Sequence, residues 1–264
     1  MNYVLITGAF GGMGKAAVEL FLNKGFTVFA LDKNVTEAKN ENLIAIQADV
    51  CDEESLALAF DKVKSVTDNL YAIIHFAGIY LLDSLVEIES KEYEKAFQIN
   101  VFGAFRVNKI FRPFLNSGSK ILMTTSELAP LNPLPFTGIY AVTKSALDKY
   151  AYSLKMELQL FDISVSVLRA GAVDTGMIAA STKALDNFCE NTKLYSCNGK
   201  RFKKIVDSVE ARRIPPYKLA EKVYKIVSKK RPKFNYAINR NPLLLIFNVL
   251  PKSLQFFIIK KILK

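Results

Sequence analysis

Short apolar runs alternate with stretches of helical period along most of the chain, the pattern of a sheet wound with helices on both faces. Strand-like runs fall at residues 2–7, 27–32, 43–48, 70–76, 119–125, 163–169 and 234–238. Helical stretches lie between them at 12–24, 53–67, 91–115, 138–160 and 216–229, with further turns within 177–212. Val4-Leu5-Ile6, Ala72-Ile73-Ile74 and Val165-Ser166-Val167-Leu168 read as strands buried on both faces, as in a parallel sheet. Pro130-Leu131-Asn132-Pro133-Leu134-Pro135 can continue neither a helix nor a central strand, so it is expected to loop over the sheet. No repeat or linker divides the chain. The expectation is one α/β domain, 1–264, a Rossmann-type doubly wound parallel sheet with an inserted segment at about 176–215 and a basic, apolar extension at about 240–264.

Composition removes several function classes. The 264 residues are 50% hydrophobic and 23% charged, which suits a closed core and argues against disorder. Cys51, Cys189 and Cys197 give neither a disulfide framework nor a metal-ligand set, and His75 is the single histidine, so no metal site is expected. The chain opens on the strand-like Asn2–Thr7 rather than on a basic, apolar leader, and a cytoplasmic, reducing setting is expected. The net charge of +11 invites a nucleic-acid reading. Residues 200–264, however, hold 18 Lys and Arg against three acids, which leaves the first 199 residues at −4. No basic and aromatic interleaving surrounds a cleft there, so nucleic acid is not an expected partner.

Chemistry concentrates at strand ends. The first strand runs into Thr7-Gly8-Ala9-Phe10-Gly11-Gly12-Met13-Gly14, where glycines permit a tight turn, a close approach to pyrophosphate and a helix N-terminus facing it. Asp32 ends the second strand about 20 residues on, placed to bond ribose hydroxyls and repel a 2′-phosphate. NAD is therefore the expected cofactor, with NADP as the alternative through the adjacent Lys33. Tyr140 and Lys144, four apart, share one helix face, where an ammonium lowers a phenol pKa toward neutrality. Ser126 ends the strand 119–125, where ligand sites of open α/β sheets gather.

With these residues in place, the sequence resembles the short-chain dehydrogenase/reductase family in its compact form, over about residues 2–175. Thr7-Gly8-x-x-x-Gly12-x-Gly14 looks like the family's cofactor motif, implicating Gly8, Phe10, Gly11, Gly12, Met13 and Gly14, and Asp49-Val50 resembles its adenine-contacting pair. Asn100, Ser126, Tyr140 and Lys144 follow the order of its catalytic tetrad. The resemblance implies Tyr140 as general acid/base and Ser126 as the donor to the substrate oxygen. It implies Lys144 beside Tyr140 at the nicotinamide ribose, and Asn100 anchoring a water that connects Lys144 to solvent. Ala77 and Gly78 imply close backbone approach to the cofactor, and Val173 and Thr175 contact with the nicotinamide carboxamide. Two departures stand out. His75-Phe76 replaces the usual Asn-Asn, where a structural histidine is expected, and Ala170-Gly171 replaces the usual Pro-Gly, where a looser loop is expected.

The resulting expectation is an NAD-preferring oxidoreductase of secondary alcohols or ketones, with the helices at 91–115 and 138–160 pairing subunits into a homodimer or homotetramer. Alternatives are a dinucleotide-binding regulatory protein without turnover and, from the spacing Gly8-x-x-Gly11-x-x-Gly14, a sugar-nucleotide epimerase or dehydratase. Met177, Ile178, Leu185, Phe188, Leu194 and Tyr195, facing Leu131, Leu134 and Phe136, predict an apolar lining for a small hydroxy or keto substrate such as a steroid or retinoid; the competing reading is that they only anchor the lid. Residues 229–264 hold nine basic and no acidic residues among apolar runs too short to span a bilayer. Peripheral contact with an anionic membrane is one reading of this segment, and a helix packed on protein is the other.

Overall fold

Successive strand residues point to opposite faces of a sheet, and here both faces are apolar. Leu5, Phe29, Ile73, Ile121 and Val165 enter one core, while Val4, Ile6, Val28, Ile74, Leu122 and Leu168 enter another. A sheet of this kind must be covered on both sides. In the computed structural model, which describes residues 2–35, 40–208 and 212–264, it is.

The strands are β1 (Tyr3–Thr7), β2 (Thr27–Asp32), β3 (Leu43–Gln47), β4 (Ala72–His75), β5 (Lys120–Ser126), β6 (Ser164–Ala170) and β7 (Asn235–Ile238). They form one sheet in the order β3-β2-β1-β4-β5-β6-β7, parallel at every pairing. Helices α1 (Gly12–Asn23) and α8 (Pro216–Val227) cover one face through Phe21, Leu219 and Val223. Helices α2 (Glu53–Lys64), α4 (Gly103–Phe111) and α5 (Gly138–Leu158) cover the other through Leu56, Val107, Phe111 and Leu147. This is the expected Rossmann-type α/β architecture. The strand order reverses between β1 and β4, so a crevice opens at their carboxyl ends, where such sheets bind ligands.

Local chemistry fixes several element ends. Asp52 caps α2 by accepting from the amides of Glu54 and Ser55, and Pro216 opens α8 where no amide is needed. Three stretches depart from the predicted pattern. The helix expected at 91–115 is α3 (Ser90–Phe97) and α4 joined by a π-helical turn, Gln98–Phe102, which turns Asn100 inward until it is buried. The turns expected within 177–212 are two helices, α6 (Gly176–Asn191) and α7 (Ser196–Ser208), and residues 209–211 of that range lie outside the described residues. The extension holds α9 (Pro242–Val249) and α10 (Lys252–Leu263), separated at Pro251. Leu185, Phe188, Phe202 and Leu263 join α6, α7 and α10 in a third small core.

Candidate active site

The loop after β1 is closed by contacts that leave no room for side chains. Gly8 has φ +65°, and a Cβ there would lie 2.6 Å from the Ala77 amide nitrogen. A Cβ on Gly14 would lie 2.0 Å from the Gly8 carbonyl oxygen, and one on Gly12 would lie 2.7 Å from the side chain of Thr175. The loop is thereby pressed against the β4 exit and the segment after β6. Gly11 precedes α1, whose first turn has no acidic residue and no side-chain cap, leaving its amides facing the crevice. Phe10 and Met13 pack partly buried against the α1 side of the core.

At the end of β2 the carboxylate of Asp32 accepts from the amides of Phe10 at 2.9 Å and Asn34 at 3.1 Å. Lys33 Nζ donates to Asp49 Oδ2 at 2.8 Å, and Asp49 Oδ1 accepts from the Cys51 amide. The hydrogen bond to Lys33 holds the Asp49 carboxyl below its usual range. Val50 lies against the turn before α4, where a Cβ on Gly103 would come within 2.7 Å of it. Across the crevice, Val173 is buried and Thr175 caps α6 by accepting from the Met177 amide. The Ala170-Gly171 loop, expected to be looser without proline, interlocks with the chain after β7. The Gly171 amide donates to Ile238, and Asn239 Nδ2 donates to the Ala172 carbonyl.

The expected tetrad converges beside Gly78. Ser126 ends β5, Tyr140 stands in the first turn of α5, and Lys144 follows one turn later on the same face. The Ser126 hydroxyl accepts from the Leu128 amide at 3.2 Å. Lys144 Nζ lies 5.8 Å from the Tyr140 ring centroid and donates to the Thr124 carbonyl at 3.2 Å. Asn100 Oδ1 accepts from the Ile79 amide, while its Nδ2 donates to the Ile79 carbonyl and to Thr143 Oγ1. A Cβ on Gly78 would lie 3.1 Å from Asn100 Oδ1 and 3.5 Å from Lys144 Nζ.

One electrostatic expectation is corrected. Tyr140 is raised above the usual phenol range rather than lowered toward neutrality. Burial is the main cause, the neighbouring Tyr80 and Glu127 add to it, and the Ser126 hydroxyl opposes it. Burial also brings Lys144 down to about 8. His75 is buried on the α4 side, where Nε2 donates to Asn108 Oδ1 at 2.9 Å and Asn108 Nδ2 donates to Tyr150. Burial takes it down to about 4, so it is a neutral structural group bonded to α4.

The residues expected to form an apolar lining divide between the two readings. Leu185 and Phe188 are buried in the core of the inserted helices, and Leu194 is exposed. Of the expected lining residues, Phe136 and Tyr195 bound an open cleft of about 420 Å³, together with Leu85, Val86, Ile259 and Leu263. Phe136 adopts φ +64°, held by ring contacts with Phe188, Tyr195 and Phe202. Sequence reasoning missed Tyr80, whose ring centroid is 4.8 Å from that of Tyr140, and Thr143, which donates to the Tyr140 carbonyl. It also missed Glu127, buried beside Ser126, which accepts from the Asn241 amide. Their adjacency to Gly78, Lys144 and Ser126 was the only available signal.

The glycine cradle, uncapped α1 amides and Asp32 at the β2 end fit the pyrophosphate and ribose of a dinucleotide. A family model described as short chain dehydrogenase matches residues 2–186. The probable short-chain type dehydrogenase/reductase VdlC of Helicobacter pylori is 26% identical over 255 residues, covering 94% of this chain and 93% of its own. Estradiol 17-beta-dehydrogenase 2 of Mus musculus is 32% identical over 185 residues, 66% of this chain but only 49% of the mouse protein. The crystal structure of a short chain dehydrogenase family protein from Francisella tularensis superposes with TM-score 0.75 at 26% identity, covering 90% of this chain and 97% of that one. A Burkholderia cenocepacia short chain dehydrogenase in complex with NADP shares the fold at TM-score 0.75 and 18% identity, covering 97% and 96%. The chain belongs to the short-chain dehydrogenase family. It is accordingly an oxidoreductase that works with a nicotinamide dinucleotide on CH–OH or keto groups.

Proposed function

We propose that this protein transfers hydride between NAD and a secondary alcohol or ketone of apolar character. The observation that carries this reading is the convergence of Ser126, Tyr140, Lys144 and Asn100 beside Gly78, at the crevice where the strand order reverses. The site holds a dinucleotide through the loop Gly8–Gly14, Asp32, Asp49, Val50, Ala77, Gly78, Val173 and Thr175, with Tyr140 and Lys144 at its reactive end. Bound there, the nicotinamide ring supplies or accepts the hydride. Tyr140 Oη exchanges a proton with the substrate oxygen, and Ser126 Oγ donates to that oxygen and steadies its developing charge. Lys144 is protonated below about pH 8, and its charge favours the phenolate that burial opposes. Asn100, bonded to both main-chain groups of Ile79, fixes the short segment that sets Tyr80 against Tyr140.

Two observations support NAD over NADP. Asp32 presents a fixed carboxylate beside the glycine loop, and Lys33 is already paired with Asp49. The apolar cleft, within the roughly 300–1,000 Å³ typical of ligand sites, supports an apolar hydroxy or keto substrate. The mouse relative is named for one such compound, estradiol. Subunit pairing through α4 and α5 belongs to the same reading.

The test is nicotinamide absorbance with NAD or NADP over a panel of hydroxysteroids, retinoids and simple secondary alcohols. Tyr140→Phe is expected to lose at least about 100-fold in kcat, the scale of a lost general acid/base, while still binding the dinucleotide. A preference for NADP would overturn the role of Asp32. Dinucleotide binding without turnover on any substrate would favour the regulatory alternative.

A further inference from the structure

Helix α9 has an outer face without a single polar side chain. Leu243, Ile246 and Val249 are 56%, 64% and 85% exposed, and at a helical pitch the three fall in one stripe. Helix α10 continues the surface with Phe256 and Phe257, 72% and 61% exposed, on the same sector as Lys260, Lys261 and Lys264. Large aromatic side chains left in water beside a wholly apolar stripe mark a surface that something covers. The inward side of α10 is committed elsewhere. Gln255 is buried and bonded to Asn132 and to the Asn248 and Leu250 carbonyls, and Leu263 packs with Phe188 and Phe202.

Charge identifies the occupant. Residues 229–264 contain nine basic and no acidic residues, so every charged side chain that α9, α10 and the segment leading to them contribute is positive. A second copy packed through the same face would set lysine against lysine, whereas an anionic lipid surface neutralises these charges and accepts the aromatic rings. Helix α10, about 18 Å long at 1.5 Å per residue, is too short to cross a bilayer, and no described helix is long and apolar enough to do so. It suits a position in the interfacial plane, with aromatics inserted and lysines reaching headgroups.

We propose that α9 and α10 form a docking surface for an anionic phospholipid bilayer. The same helix lines the apolar cleft. Ile259, Lys260, Leu263 and Lys264 bound it on one side, and the exposed Leu85 and Val86 on another. A protein seated on α9 and α10 therefore turns the cleft toward the lipid, and a lipid-dissolved alcohol or ketone enters without crossing water. The entry route rests on the hydride-transfer reading; the docking does not.

Co-sedimentation of the full chain with phosphatidylcholine vesicles, with and without phosphatidylglycerol, tests the docking. The protein is expected to pellet with the anionic vesicles only, and less so as salt is raised. Phe256→Ser combined with Phe257→Ser is expected to reduce the affinity at least about tenfold, as is Lys260→Gln with Lys261→Gln and Lys264→Gln. Thermal unfolding and dinucleotide binding of each variant report whether it is folded. Tyr140→Phe, inert in turnover, is expected to pellet like the wild type, which separates failure of the docking from failure of the catalytic reading. Absence of pelleting on anionic vesicles, equal pelleting on neutral ones, or indifference to both sets of substitutions overturns the proposal. So does a dimer that the phenylalanine substitutions dissociate in a protein that binds no vesicles.

Discussion

Moving an ammonium out of water favours its neutral form, and burial draws Lys144 from 10.5 down to about 8. Between those values the folded protein binds fewer protons than the unfolded chain, so stability from this group rises with pH across the window. Below about pH 8 the buried charge is a constant penalty of about 3 kcal/mol, at 1.36 kcal/mol per unit. Lys144→Met is therefore expected to stabilise the ligand-free protein. After loss of the hydrogen bond to the Thr124 carbonyl, the gain at pH 7 is about 1–2 kcal/mol, with kcat at least about 100-fold lower. Urea unfolding at pH 7 and pH 9.5 checks it. The advantage over wild type must shrink at the higher pH, and a pH-independent difference would refute the buried-charge account. The residue identities behind this pair were legible from a spacing of four. The upward direction at Tyr140 was not, because burial and the proximity of Tyr80 and Glu127 are properties of the fold.

Elements whose hydrophobic pattern has one period were legible, and those that break it were not. β1, the glycine turn and α1 follow from an apolar run, glycines and a helical stripe in succession. The π-helical turn at Gln98–Phe102 inserts a residue inside an otherwise helical stretch, a shift too small to alter its pattern, yet it buries Asn100. Helix α9 was missed because eight almost wholly apolar residues carry no periodicity. Glu127 shows the same limit across elements. It extends the end of β5 to the start of α9, a contact between residues 114 apart. Replacing it with alanine leaves the Asn241 amide without its carboxylate, so hydrogen exchange over residues 239–249 is expected to rise about tenfold or more. The carboxylate also pushes the Tyr140 phenol up, so Glu127→Ala is expected to move the acidic limb of alcohol oxidation to lower pH. A faster-exchanging α9 with an unmoved pH profile would leave Glu127 a structural clamp alone.

At the scale of the whole molecule, two of the apolar surfaces exposed among the described residues differ in charge, which assigns them different partners. One is the basic face of α9 and α10. The other is built from Phe102 and Phe105 at the start of α4 and from Tyr152 and Met156 on α5, all more than 40% exposed. Its surroundings carry both signs, with Arg106 facing Glu53 at 3.7 Å, and with Lys149, Lys155 and Glu157 along α5. A two-fold interface brings one patch against its own copy, so it requires a surface complementary to itself. Mixed charge around an apolar centre meets that requirement, and uniform positive charge does not. The protein is therefore expected to form a homodimer or homotetramer through α4 and α5. Light scattering on wild type and on Phe105→Glu combined with Met156→Glu checks this, since buried carboxylates at the interface without partners should dissociate it to monomers. Because the two surfaces are separate, the monomeric variant must still pellet with anionic vesicles. Loss of vesicle binding together with the oligomer would mean that assembly is needed for docking, because a single pair of short helices then holds the membrane too weakly alone.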